Sequence, residues 1–417
     1  MTTRRPQNPF AGRRVVKPCS KAKQTISVKR VRVDMQTVYL DNGATSFPKA
    51  PGVGDAMTDY LKNNGANVNR GTYSRASSAA MTVLETREQL KELFHFPGDE
   101  TEIVFTPGHT FGLNQILCGY LKPGDHVLVS SMEHNAVMRP LTELQKRGVE
   151  FSRIPADRDG RTRAEDLRPL LRENTRLVMV NHASNVSGTV FPLEEVAEIC
   201  RQEALPLAVD AAQTAGHLEV DFAKLHLAAL SVPGHKGLLG PQGIGALLLD
   251  RDFADALHPI VTGGTGSASD SEVQPKYMPD RFESGTVNLP GIFGLHAALA
   301  FILKNGVDKL EAHDRKLTEH FLTGLKSLPL RIAGPGSCDE QVGVVSLDFC
   351  EQDNGEIAYR LEQDYGIMTR VGLHCAPNAH KTLGTFPNGT VRFSFGYATT
   401  EEEIDYAVNA IRELAMR

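Results

Sequence analysis

The sequence predicts an α/β protein with a mainly parallel sheet covered by helices on both faces, followed by a smaller α+β unit. Three observations carry this. Short apolar runs of strand length alternate with amphipathic stretches from residue 38 to about 250. Residues 263–288 then turn rich in Gly, Ser, Asp and Pro and read as loop. At 417 residues the chain is also long for a single ordinary domain, so one large and one smaller domain is the natural division.

The elements follow in order. Residues 38–40 form a short strand that runs into a turn at 41–45. Residues 79–95 have helical apolar spacing. Strands are expected at 103–106, 126–130, 177–181, 205–210, 227–232 and 246–249, with amphipathic segments at 141–148, 163–172 and 193–203 between them. A long helical run begins near Pro290, breaks near Gly306 and resumes over 307–327. The remainder reads as strand 342–348, helix 355–365, a loop around Cys375, strand 390–395 and a final helix. That helix opens Thr-Thr-Glu-Glu-Glu from Thr399, a capping residue followed by acids. The expected division is 1–34 as a basic, disordered extension, 35–300 as the large domain and 301–417 as the small one. The first residues of the large domain can pack with the small domain.

Composition narrows the function classes. The 41% hydrophobic content and mixed charges describe a globular chain. No apolar run reaches the roughly 18 residues of a membrane span. A net charge of −5 gives no general reason to expect nucleic-acid binding. The six cysteines, at 19, 118, 200, 338, 350 and 375, include no C-x-x-C pair, so neither a disulfide framework nor a structural zinc site is indicated. A reducing, cytoplasmic setting fits. Residues 1–33 hold ten Lys or Arg and no acid. An early start with Met35 as the true first residue, a transit-type targeting peptide and a nucleic-acid arm are the alternatives to a disordered tail.

Chemistry concentrates at a few places. The apolar run 205–210 ends in Asp210, and 26 residues later Lys236 stands in Pro-Gly-His-Lys-Gly-Leu-Leu-Gly-Pro-Gln-Gly. Ligands of such sheets collect beyond the carboxyl ends of the strands, where Asp210 lies. An acid at a strand end and a lysine in a glycine-rich turn are what a pyridoxal phosphate (PLP) enzyme needs. The amine can hold the cofactor aldehyde, and the carboxylate can keep the pyridine nitrogen protonated. Each residue also has an ordinary reading: a solvated surface lysine, and a helix N-cap for Asp210. The spacing around Lys236 does not match a nucleotide P-loop. Gln213 can bond a cofactor oxygen or be a plain helix residue. Thr106-Pro107-Gly108-His109-Thr110 precedes an apolar helix over 111–121, and a helix N-terminus with a hydroxyl is an anion site. His134, after another strand, can stack on a flat ring or be a loop residue. Cys375 lies between His374 and Ala376-Pro377, with Arg370 and Arg392 near in sequence; such cations would favour its thiolate. A buried inert thiol, or a zinc site using His374, Cys375 and His380, is the alternative reading.

Together these residues resemble the class V aminotransferase family of PLP enzymes, in its cysteine desulfurase and selenocysteine lyase-like branch, group II. The resemblance covers roughly residues 38–413. It rests on Leu40-Asp41-Asn42-Gly43-Ala44-Thr45, Asn69-Arg70-Gly71, Glu133-His134-Asn135, Ser184-Asn185-Val186-Ser187-Gly188, Asp210-Ala211-Ala212-Gln213, Gly234-His235-Lys236, Arg281-Phe282-Glu283-Ser284-Gly285-Thr286 and Arg370-Val371-Gly372-Leu373-His374-Cys375-Ala376-Pro377. It implies PLP fold type I, with a mainly parallel seven-stranded sheet in the large domain and the catalytic cysteine in the small one.

The implied roles are specific. Lys236 is the Schiff-base lysine and the acid/base at the substrate α-carbon. Asp210 pairs with the pyridinium, Gln213 with the phenolic oxygen, and His134 stacks on the ring. Thr110 and His235 hold the phosphate, with Thr286 supplied by the neighbouring subunit of a homodimer. Asn185 and Arg392 hold the substrate carboxylate, and Arg370 lies close to the nucleophile. Cys375 takes sulfur from L-cysteine as a persulfide, alanine leaves, and a sulfur-acceptor protein receives the sulfur. Two departures stand out: Pro233 replaces a phosphate-contacting serine, and His109 replaces a threonine. Phosphate binding is then rebuilt through His109 or through Thr265 of a neighbouring chain. Selenocysteine lyase, an aminotransferase or another β-lyase are the rival reactions, and a PLP-fold binding or regulatory module is the rival outside enzymes. No metal, nucleic acid or membrane is implied.

Overall fold

The alternating apolar runs close into a seven-stranded sheet between two helical layers. The computed structural model describes residues 36–68 and 71–416. The expectations for residues 1–34, and for Asn69 and Arg70, lie outside the described residues. The chain opens with β1 (Val38–Tyr39), α1 (Val53–Asp59) and α2 (Ser74–Leu93). It continues through β2 (Ile103–Thr106), α3 (His109–Tyr120), β3 (His126–Ser130), α4 (Asn135–Gln145) and β4 (Glu150–Ile154). Next come β5 (Thr175–Asn181), α5 (Leu193–Gln202), β6 (Leu207–Asp210), β7 (Ala229–Pro233), β8 (Gly245–Leu249) and α6 (Arg251–Ala256). The second half holds α7 (Leu289–Asn305), α8 (Val307–Leu325), β9 (Arg331–Ile332), β10 (Val344–Asp348) and α9 (Asn354–Tyr365). It ends with β11 (Ile367–Met368), β12 (Arg370–Gly372), α10 (Pro377–Leu383), β13 (Thr390–Ser394) and α11 (Glu401–Ala415).

The large sheet has the order β2-β8-β7-β6-β5-β3-β4, and only β8 runs antiparallel to its neighbours. Its central strands are buried on both faces because successive side chains point to opposite layers. Val178 and Val180 of β5 enter one core, while Leu177 and Met179 enter the other. Three expectations shift. Helix α2 starts at Ser74 rather than 79, because its polar first turn carries only Ala76 as a buried anchor. Residues 163–172 form a 3₁₀ turn over Ala164–Leu170, with Pro169 inside it, rather than an α-helix. Strand β4 was not anticipated: it lies at the sheet edge, and Glu-Phe-Ser-Arg-Ile carries little apolar signal there.

Helices α7 and α8 meet at Gly306, whose φ of +85° allows an 82° bend. Beyond it, β9, β10, β12 and β13 form a second, four-stranded sheet. Residues of α8, α9 and α11 pack on that sheet, and Val38 and Leu40 join the same core. Strand β1 pairs in parallel with β11, and Asp41 bridges to Ser394. The N-terminal strand therefore delivers Asp41 to the end of β13. Thr400 caps α11 with the expected reciprocal bonds to Glu403. Among the described residues no single helix is long and apolar enough to cross a membrane.

Candidate active site

Four strands of the large sheet end at one cavity of ≈ 300 Å³. Asp210 terminates β6, Asn181 terminates β5, His134 follows β3, and the turn after β7 supplies His235 and Lys236. The small sheet contributes Arg370 from β12 and Arg392 from β13, and the loop beyond β12 adds His374 and Cys375. His109, Thr110, Asn185 and Gln213 complete the expected set, so the cavity gathers all of the sequence-predicted site residues except Thr286. Thr286 is exposed and does not line the cavity of its own chain.

Burial sets the charge states. It pushes the Lys236 ammonium down to about 8, against the attraction of Asp210, so a free amine is within reach near neutral pH. His134 is pushed down to about 4 by burial. Its Nδ1 accepts the Ala136 N–H at 3.0 Å as the N-cap of α4, which places its proton on Nε2. Burial also lowers His235 to about 4; its Nδ1 lies 3.2 Å from Thr45 Oγ1. For Asp210, burial alone would raise the carboxyl, but the His109 imidazole and the Ala212 N–H hold it down at about 2. Glu133, behind His134, is raised to about 8 by burial and accepts from Ser130 Oγ at 2.7 Å and Asn181 N at 2.9 Å.

The arginine side of the cavity has its own clamp. Asp41 accepts from Arg370 Nη2 at 2.8 Å and from Arg392 Nη2 at 3.0 Å. Arg392 Nη1 donates to the Asn185 carbonyl at 3.0 Å, and Asn185 Nδ2 donates to the His374 carbonyl at 2.6 Å. Arg392 Nε and Asn185 Oδ1 are buried without a partner. Such a donor beside the cavity suits the carboxylate of an amino acid.

Cys375 is exposed, and it follows His374 in the left-handed region, with φ of +58° and +46°. Two consecutive non-glycine residues there store about 1–3 kcal/mol each, a cost that persists only where neighbours hold the loop. The Asn185 bond to His374 and the Asn135 N–H to the Cys375 carbonyl, at 2.8 Å, hold it. His374 Nε2 bonds Thr390 and His380 Nδ1 bonds Thr385. Among the described residues no His, Cys, Asp and Glu group could hold a metal ion, so the zinc reading finds no site.

The donor set fits a flat phosphorylated pyridine aldehyde. A buried amine, an ionised carboxylate and an imidazole surround one cavity. Helix α3 meets it at an N-terminus without a side-chain cap, with Thr110 in its first turn. One expectation changes. The sequence points to His109 as a phosphate contact, but both of its ring nitrogens are engaged elsewhere, by Asp210 and Ser231. Thr110, His235 and the first-turn N–H groups of α3 are the donors left for an anion. The sequence alone points to no role for Asp41, Ser231 or Glu133. Asp41 stood within a quoted motif, whereas Ser231 lies inside an apolar strand and gave no signal.

A family model for class-V aminotransferases matches residues 38–407. The chain is similar to a probable cysteine desulfurase of Pyrococcus abyssi, at 34% identity over 93% of this chain and 96% of that protein. It is similar to a cysteine desulfurase of Escherichia coli O157:H7, at 32% identity over 94% and 98% of the two chains. Among solved structures, an apo cysteine desulfurase from Thermococcus onnurineus NA1 superposes with a TM-score of 0.85 at 33% identity, covering 93% of this chain and 97% of that one.

Proposed function

The chain belongs to the class-V aminotransferase family, and from that premise we propose that it is a PLP-dependent cysteine desulfurase. It takes the sulfur of L-cysteine onto Cys375, releases L-alanine and passes the sulfur to an acceptor protein. The observation that carries this reading is the exposed Cys375 thiol lining the same cavity as the lysine Lys236. Transamination has no use for such a thiol.

Lys236, Asp210, His134 and Gln213 would hold the cofactor ring, and Thr110 and His235 its phosphate. Bound there, the cofactor supplies an electron sink for charge developing at the substrate α-carbon. Arg392 and Asn185 orient the substrate carboxylate, and the Asp41 clamp fixes the Arg392 fork. Lys236 takes the α-proton as a free amine. The Cys375 thiolate attacks the substrate sulfur: an S–S bond forms, the carbon–sulfur bond breaks, and its electron pair returns to the carbon skeleton. Protonation of that skeleton completes alanine. Thr286 is exposed and does not line the cavity of its own chain, which leaves it free for the role the resemblance implies, at the phosphate of a second copy, and the working unit proposed is a homodimer. The five described cysteines are all free, which suits a reducing cytoplasm.

The test is alanine and sulfide production from L-cysteine with PLP and a thiol reductant, for the wild type and Cys375→Ala. Equal amounts of both products from the wild type, lost in the variant, support the reading. Sulfide release at the wild-type rate from Cys375→Ala would remove Cys375 as the sulfur carrier.

A further inference from the structure

His109 stands where the family resemblance expects a threonine, and its surroundings are built for a histidine. Its Nε2 lies 2.7 Å from Asp210 Oδ1 and its Nδ1 lies 2.9 Å from Ser231 Oγ. Three elements make the contact. His109 opens α3, Asp210 ends β6, and Ser231 sits on β7 directly beside Asp210 in the strand register. Ser231 is fully buried. One turn along α3, Gly112 leaves room for it: a Cβ there would meet Ser231 Oγ at 2.7 Å. The serine hydroxyl can donate to Nδ1, and that fixes the ring proton on Nε2, facing the carboxylate. Asp210 Oδ1 accepts from both His109 and the Ala212 N–H at 2.9 Å. Among the described residues, its other oxygen takes no hydrogen bond and is left for the cavity that Asp210 lines.

We propose that Ser231 and His109 form a positioning relay that holds Asp210 ionised, with one oxygen aimed at the pyridine nitrogen of the cofactor. The inference rests on the PLP reading above. A bare carboxylate in this buried position would drift toward its protonated form, and a protonated Asp210 cannot hold a pyridinium. The His109 N–H opposes that through a charge-assisted bond, and by occupying Oδ1 it also fixes the rotation of the carboxylate. The other charged or titratable groups around Asp210 are His134 at the start of α4, Lys236 after β7 and Glu133 after β3. His134 is held neutral by burial and caps its own helix, so it does not replace His109 in this role.

The test uses holoenzyme reconstituted with cofactor carrying ¹⁵N at the pyridine nitrogen, and reads that nitrogen by NMR across pH. In the wild type the nitrogen stays protonated through the neutral range. In His109→Phe it loses its proton at lower pH, and His109→Gln, which keeps an N–H donor, recovers much of the wild-type behaviour. Ser231→Ala shifts the midpoint in the same direction as Phe but less. An unchanged nitrogen titration in His109→Phe overturns the relay. Should that variant not fold, an unchanged titration in Ser231→Ala overturns it equally. A wild-type protein that takes up no cofactor at all would instead refute the PLP reading, and the two failures are told apart by the visible absorbance of the bound cofactor.

Discussion

Asp41→Asn isolates what the arginine clamp contributes. The replacement keeps the side-chain volume and removes the negative charge that faces two guanidinium groups. The two pairs are unequal. Arg370 is half exposed, at 50% of its side chain, so its share is about 1 kcal/mol or less. Arg392 is 3% exposed, and taking the partner from a buried charge costs about 3–5 kcal/mol. The Asn185 carbonyl still accepts from Arg392 Nη1, which puts the loss near the lower end, about 3 kcal/mol. At about 2.1 cal/mol/K per residue, the unit Gln36–Arg417 unfolds with an entropy of about 0.8 kcal/mol/K, so Tm should fall by about 4 °C. The assay is a thermal scan of the apo protein at neutral pH, beside Arg370→Gln, which should lose about 1 °C or less. KM for L-cysteine should rise in Asp41→Asn, because the Arg392 fork loses its fixed orientation. An Asp41→Asn protein melting within about 1 °C of the wild type would show that Arg392 does not depend on Asp41, and the reasoning would fail.

Further outcomes follow from the charge states and the thiol loop. Lys236→Ala should lose the visible absorbance of lysine-bound cofactor, and retention of that band would refute its role. Because burial holds Lys236 near 8, uptake of PLP by apo protein should quicken as pH rises through about 8 and then level off; a pH-independent rate would contradict a buried amine. Glu133, raised by burial from 4.5 to about 8, is protonated in the folded state at neutral pH. Its unfolded form ionises first, so folding stability from this group is full below about 4.5 and is lost as pH climbs to about 8. Glu133→Gln should escape that loss, and denaturant titrations should show its advantage over the wild type growing across this window. Asn185→Ala should slow sulfide release with cofactor binding intact, since it frees the His374 carbonyl that holds the strained loop; an unchanged rate would show the loop is held by other bonds.

The fold was readable where local pattern and tertiary environment agree. Strands β3 and β6 are apolar on both faces because both faces are covered, and their length and flanking turns mark them without any tertiary knowledge. Strand β4 escaped because an edge strand needs no such pattern. The candidate site is legible for the same kind of reason wherever a chemically distinctive residue sits at or just past the end of a strand, as Asp210, His134 and Lys236 do. Ser231 was invisible because its partner is 122 residues away on another element. His109 stands out in the sequence, but the direction of its ring does not follow from it. Sequence neighbours suggested the anion end of the cavity, whereas its ring turns back toward the carboxylate on β6.

Asp41 shows why a residue in a recognisable motif can still lack a legible role. Its two partners, Arg370 and Arg392, lie more than 300 positions downstream, and the contact exists because β1 adds to the C-terminal part of the chain through β11. That pairing ties the charge clamp to the element that carries the thiol. Arg370 begins the strand that leads into the Cys375 loop, while Asn185 and Asn135, from the large-sheet side, bond the carbonyls of His374 and Cys375. The thiol is thus set by bonds from both sheets, and its distance from Lys236 depends on their docking rather than on the loop alone. A short, strained loop pinned at two carbonyls leaves rotation about the Cys375 side chain as its main freedom, which suits the role proposed for it, a nucleophile that meets a substrate sulfur and then presents a persulfide to solvent.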